Sequence, residues 1–315
     1  MITIEQLVWR RSGTAASGGS APRGGLRFLR GSREEPGSRF TLHIPRMTFG
    51  SGITLVVGRN GAGKSSLLHL LGTAELPDAG QVLYDGLTVD RSLAAIRAAI
   101  GFVPTGVELY EEMTVLKLLR YMAQLKGTPP EETIRQVIEA FRLEPYRDRK
   151  IKMLAQGVRQ RIALAQAWLG RPRYLFLDEP LNALDSLERL AFIRLLAGYA
   201  SGGAAIVSTH ELGEWEAWAH RIAWLDQGRL RYHGTVSDWV RGLPASVWEG
   251  WVEAGRQAAF DKQAVISIRA EDGGFRTRMM GVEAPGPEFE PQPPSLEDAY
   301  FIRCRYEAAA PYTAG

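Results

Sequence analysis

Cysteine is almost absent from this chain of 315 residues, where Cys304 stands alone. No intrachain disulfide and no cysteine-built zinc site can form, which fits a reducing compartment. Long hydrophobic runs are lacking too. Nowhere do about eighteen consecutive apolar residues occur, roughly the minimum for a spanning helix. Work at a membrane would therefore need another chain to cross it. The opening residues, MITIEQLVWRR, hold no apolar stretch followed by a small-residue cleavage site, so no secretory leader is expected. Basic excess is also missing: 38 Lys and Arg stand against 35 Asp and Glu, a net charge of +3, with no long basic block. Nucleic acid is therefore not expected as a partner.

What is present reads as an ordinary globular composition, 45% apolar and 23% charged. Ile2, Ile4 and Leu7 suggest a first strand. A Gly-, Ser- and Arg-rich stretch at 11–38 reads as a mobile loop at a hairpin tip. Phe40-Thr41-Leu42-His43-Ile44 then alternates apolar and polar, as a half-buried strand does. Ile53-Thr54-Leu55-Val56-Val57 is a short apolar strand leading into a glycine-rich loop and a helix. Between about 106 and 170 the spacing is helical. The apolar sets are Leu116, Leu119, Tyr121, Met122 and Leu125, then Ile134, Val137, Ile138 and Phe141, then Ile162, Leu164, Ala165, Trp168 and Leu169. Strand patterns return at 174–177, 204–208 and 221–225. This alternation predicts an α/β fold, a mostly parallel sheet with flanking helices and a helical insertion. Residues 1–240 form the expected main domain. Residues 241–315 read as a small appendage, with strands at 264–269 and 275–280 and a Pro-rich linker at 283–294.

Gly58-Arg59-Asn60-Gly61-Ala62-Gly63-Lys64-Ser65, continued by Ser66, fits the phosphate-binding loop. Its glycines let backbone N–H groups curl inward around phosphates, and the following helix adds its positive dipole end. Lys64 would reach the terminal phosphates of ATP and Ser65 would ligate Mg²⁺. Tyr174-Leu175-Phe176-Leu177-Asp178-Glu179 is an apolar strand ending in two carboxylates. A central position would put Asp178 beside the phosphate loop as a Mg²⁺ partner, with Glu179 placed to orient and deprotonate a water.

Beyond these two, further segments in order resemble the ATP-binding cassette family. Leu154-Ala155-Gln156-Gly157-Val158 lies where that family carries its signature. Asn182-Ala183-Leu184-Asp185 resembles the turn that couples two subunits, and Ser208-Thr209-His210-Glu211 the switch-histidine strand end. Gly101-Phe102-Val103-Pro104-Thr105 stands where a Mg²⁺-contacting glutamine is usual. The segment at 109–115 resembles the one that meets the transporter partner. The motif Ser295-Leu296-Glu297-Asp298-Ala299-Tyr300-Phe301 resembles the closing motif of subunits that serve exporters with separate permeases, and it also fits a generic capped helix start.

The resemblance implies a P-loop fold with an antiparallel β part and a helical subdomain. It implies hydrolysis of ATP with Mg²⁺ at a dimer interface, with Glu179 and His210 catalytic. The phosphate loop, the signature residues Ala155, Gln156 and Gly157, and Asp185 would contact nucleotide. Ser65, Asp178 and Thr105 are the metal-side positions. A membrane permease and a second ATPase subunit, identical or not, would be the partners, on the cytoplasmic face of the membrane. Trp9 and Phe40 are both candidates for packing on adenine. Three positions depart from the pattern. Thr105 is too short to act as the glutamine does, Ala155 lacks the serine hydroxyl, and Gln156 puts a side chain where glycine lets backbone approach.

Overall fold

The computed structural model describes residues 1–11, 40–128, 130–254, 260–307 and 313–314. Apart from Arg11, the stretch at 11–38 read as a mobile loop lies outside the described residues. The chain divides into two compact units. One comprises Met1–His210 with Trp224–Leu230, the other Glu211–Ala223 with Arg231–Gly315.

The first unit runs through β1 (Ile2–Arg11), β2 (Phe40–Phe49), β3 (Gly52–Val57), α1 (Lys64–Leu71), β4 (Ala79–Tyr84), β5 (Leu87–Thr88), α2 (Val89–Ala99) and β6 (Ile100–Val103). The helices α3 (Val115–Leu125), α4 (Pro130–Ala140) and α5 (Gln156–Trp168) follow, then β7 (Tyr174–Asp178), α6 (Ser186–Ala200) and β8 (Ala204–Ser208). The strands β9 (Arg221–Asp226) and β10 (Arg229–Thr235) are divided between the units. The sheet order is β5-β4-β1-β2-β10-β9-β3-β8-β7-β6. Neighbours β3–β8, β8–β7 and β7–β6 are parallel, whereas β1–β2, β1–β4 and β4–β5 are antiparallel. Every residue of β3, β7 and β8 is buried. Strands covered on both faces need continuous apolar runs, which is why these segments lack the alternation seen in β2.

The helical insertion is present, but the core-facing side of α3 is not the one its spacing suggests: of Leu116, Leu119, Tyr121, Met122 and Leu125 only Leu119 is buried, while Tyr121 and Leu125 are exposed. In α3, Val115, Leu118, Leu119 and Ala123 are buried on one face, and the Thr114 side chain caps the start by accepting from Lys117 N–H at 3.3 Å. Gly127, with φ of 66°, ends it. Just before that turn, Lys126 reaches inward. Its Nζ donates to the carbonyls of Ile100, Ala167 and Leu169 at 3.1, 3.3 and 2.9 Å, and burial lowers its pKa to about 8.

The second unit contains α7 (Leu212–Trp215), α8 (Val236–Val240), β11 (Ser246–Glu253), β12 (Val265–Glu271), β13 (Gly274–Gly281), β14 (Phe289–Gln292), α9 (Leu296–Tyr306) and β15 (Thr313–Ala314). Its antiparallel sheet has the order β12-β13-β11-β14. The Pro-rich stretch at 283–294 is therefore not all linker. Phe289 is buried and anchors β14 as an edge strand, where Pro291 can sit without donating to the ladder. No helix among the described residues is long and apolar enough to cross a membrane.

Candidate functional site

Where β3 ends, the chain bends through Gly58 with φ of 152°. A Cβ there would stand 2.3 Å from the Leu225 carbonyl oxygen, so only glycine fits. Gly63, with φ of 105°, opens α1, and a Cβ on it would meet Phe40 Cζ at 2.9 Å. Between them the Ala62 N–H donates to Arg59 O at 3.1 Å, and the Gly228 N–H to Ala62 O at 3.0 Å. Arg59, Asn60, Gly61 and Ser65 are exposed, while Lys64 and Ser66 are buried. Lys64 folds back over this loop, its Nζ donating to Gly58 O at 2.8 Å and Arg59 O at 3.3 Å. Burial lowers its pKa against the pull of Glu179 and Asp178. The loop is thus already curled around the ammonium, with no side chain capping the start of α1.

The carboxylates arrive on β7. Its register with β8 sets Asp178 opposite Ser208. The fully buried Ser208 hydroxyl donates to Asp178 Oδ1 and accepts from the Glu179 N–H at 3.1 Å. The sequence motif alone gives Ser208 no task. The strand register is what assigns it one, holding both carboxylate residues. Asp178 Oδ2 is buried with no hydrogen-bond partner. A carboxylate oxygen left that way is costly unless a cation or its water completes it. Asp178 Oδ2 and the hydroxyl of exposed Ser65 are both oxygen donors, the kind that suits Mg²⁺.

Glu179 has φ of 49° at the end of its strand. Its Oε1 lies 3.1 Å from His210 Nε2, which in turn lies 3.5 Å from Lys64 Nζ. Burial and the Lys64 charge lower the pKa of His210, opposed by Asp178. Lys64, Asp178, Glu179 and His210 come together from β3, β7 and β8, as the sequence motifs predict. Register also carries β6 level with β7, Val103 opposite Leu177. Thr105 thus follows at the same strand ends, and it is exposed. Of the two adenine candidates, Trp9 is buried, while Phe40 is half-buried and leans on Gly63.

The signature residues form a second cluster. Ala155 is the N-cap of α5, with no side-chain cap bond, and Ala155 and Gln156 are exposed. A Cβ on Gly157 would meet Ala183 O at 2.9 Å, so this helix start packs on the turn before α6. The Asp185 carboxylate is engaged there, capping α6 by accepting from the Glu188 N–H at 2.8 Å.

A phosphate loop beside a strand ending in carboxylates, on the carboxyl edge of parallel strands, defines a P-loop nucleotide-binding domain. Residues 46–182, which hold the phosphate loop and the carboxylates of β7, match the family model described as ABC transporter. The chain is 34% identical over 186 residues to the retinal-specific phospholipid-transporting ATPase ABCA4 of Homo sapiens, spanning 58% of this chain and 8% of that protein. It is 36% identical over 202 residues to the sulfate/thiosulfate import ATP-binding protein CysA of Caulobacter vibrioides, spanning 61% of this chain and 59% of that one. The chain thus covers less than two thirds of either relative. A solved ATP-binding subunit of an ABC transporter superposes with a TM-score of 0.62 at 23% identity, over 76% of this chain and 92% of that one. The ATP-binding cassette MJ0796, a dimer in a post-hydrolysis state with ADP and Pi, gives 0.60 at 22% identity, over 75% and 98%.

Proposed function

We propose that this protein is the ATP-hydrolysing subunit of an ABC exporter, driving a separate membrane permease from the cytoplasmic face. The observation that carries this reading is the convergence of Lys64, Asp178, Glu179 and His210 around one phosphate loop. Lys64 and the loop N–H groups would bind the β- and γ-phosphates. Glu179 would take the proton of the attacking water, and His210 would hold Glu179 and the γ-phosphate in register. Mg²⁺, on Ser65 and Asp178, would neutralise charge developing on the phosphate oxygens, with Thr105 nearby. The signature of a second subunit would close the site, a reading that the dimeric state of the MJ0796 cassette supports. On this reading residues 1–240 form the ATPase domain and 241–315 an extension.

Export is favoured by the motif at 295–301 and by the ABCA relatives named as phospholipid-transporting ATPases, although CysA is named for import. Ala155, Gln156 and Thr105 favour a second reading, a slow ATP-gated dimerisation switch or the weak half of a heterodimer. Loss of one donor to a phosphate costs on the order of 1.5–3 kcal/mol, roughly ten- to a hundredfold in rate.

Steady-state ATPase activity of the purified chain, across protein concentrations and beside Glu179→Gln, tests the reading. Turnover should rise more than linearly with concentration and fall at least about a hundredfold in the variant. Equal rates in the two proteins would sink it. Negligible activity with retained ATP binding selects the second reading.

A further inference from the structure

The start of α5 is tied in two directions by consecutive side chains. Arg159 donates from Nη1 to Glu111 Oε1 at 2.9 Å, from Nη2 to Lys152 O at 2.9 Å, and from Nε to Leu154 O at 3.1 Å. Beside it, Glu112 accepts from Lys150 at 3.2 Å and Lys152 at 2.8 Å. The backbones of the two segments are bonded as well, Lys152 N–H to Glu111 O at 3.1 Å and Ile151 N–H to Met113 O at 3.0 Å. On the other side the Gln160 amide donates to Pro180 O at 3.1 Å, and Arg161 Nε lies 3.1 Å from Glu188 Oε1.

We infer that Arg159 is a positioning residue, coupling the 109–115 segment to the signature at Ala155–Gly157 through the backbone at 152–154. This rests on the reading of 109–115 as partner-facing and of the signature as phosphate-facing. The Arg159–Glu111 pair is solvent-exposed on its glutamate side, 58%, and contributes little to stability. Its use is geometric. A planar guanidinium fork with three acceptors fixes their relative places, which a single ammonium cannot. A basic group on a docking partner would draw Glu111 off Nη1, so that a shift at 109–115 is passed to the two carbonyls leading into Ala155.

Hydrogen exchange of the purified full chain, with ATP turnover measured beside it, separates this from a merely structural role. In Arg159→Ala, exchange should quicken about tenfold, close to 1.4 kcal/mol, at both 109–115 and 150–157. The loop at 58–66 should not change. Arg159→Lys should leave the effect largely in place, and Glu111→Gln should give a smaller rise confined to 109–115. Turnover of Arg159→Ala should drop about tenfold in kcat with KM for ATP unchanged. Unaltered exchange at 109–115, or a rise in KM with kcat kept, overturns the coupling. If the wild-type chain itself binds ATP without hydrolysing it, the second reading replaces the first, and the exchange pattern still decides the coupling.

Discussion

Four helix starts, those of α1, α5, α6 and α9, fall into two kinds, and the contrast between them bears on scaffold and site. At α6 and α9 the first turn is closed by reciprocal capping boxes, Asp185 with Glu188 and Ser295 with Asp298. At α1 and α5 the capping positions are Gly63 and Ala155, and neither helix has a side-chain cap bond. A helix leaves its first N–H groups without intrahelical partners. Side chains that satisfy them stabilise the fold, whereas groups left open can receive an anion. Changes at the closed starts should therefore cost stability with little effect on nucleotide, and changes at the open ones the reverse.

The largest effect is expected at a closed start. Asp298 is 2% exposed and accepts from Arg278 Nε at 3.0 and 3.1 Å, from Nη2 at 2.5 Å and from the Ser295 N–H at 2.7 Å. Removing one partner of such a buried pair costs about 3–5 kcal/mol. Asp298→Asn should lower the denaturation midpoint accordingly and leave ATP affinity unchanged. Burial raises the carboxyl's pKa, but the Arg278 and Ser295 bonds outweigh it and hold it below the usual range. Its stabilisation is thus present above about pH 4, the ordinary value, and fades as pH falls through the lower folded one. Denaturant midpoints of wild type and variant should keep a constant gap from neutral pH to about pH 4 and converge below. An unchanged midpoint at neutral pH would remove α9 from the scaffold class.

Next in size is the open start of α1. Lys64→Ala removes a charged donor, worth on the order of 1.5–3 kcal/mol to a bound phosphate. Titration with a fluorescent ATP analogue should show roughly ten- to a hundredfold weaker binding. The melting temperature without nucleotide should not fall, because the ammonium is held desolvated in the folded protein. A variant that melts early yet binds ATP normally would turn this comparison upside down.

The two kinds of helix start were unequally legible in the sequence. The loop from Gly58 to Ser66 is contiguous, and its neighbours β3 and α1 announce themselves by local pattern. The Ser295–Asp298 box is equally local. Ser208 and Lys126 were missed because their partners are distant in sequence. Asp178 is reached only through the register of β7 on β8, and the Ile100, Ala167 and Leu169 carbonyls only through packing. Arg159 is invisible for the same reason, since Glu111 lies 48 residues away. β14 was lost to its prolines, which an edge strand tolerates and a central one would not.

The smallest effect sharpens the comparison most, because it asks whether an open start can be closed. Ala155 holds φ −62° and ψ 156°, the extended geometry of a capping residue. A serine there can accept from the N–H groups of the first turn without moving the backbone, which contributes about 1 kcal/mol. In Ala155→Ser the melting temperature without nucleotide should rise by roughly 2–4 °C. If the same hydroxyl also faces phosphate across the dimer, turnover should increase by up to about tenfold. Both gains together would mean that α5 is open for want of a donor and belongs with α1. A more stable enzyme that is no faster would mean that the hydroxyl only caps, and α5 would move to the scaffold class with α6 and α9.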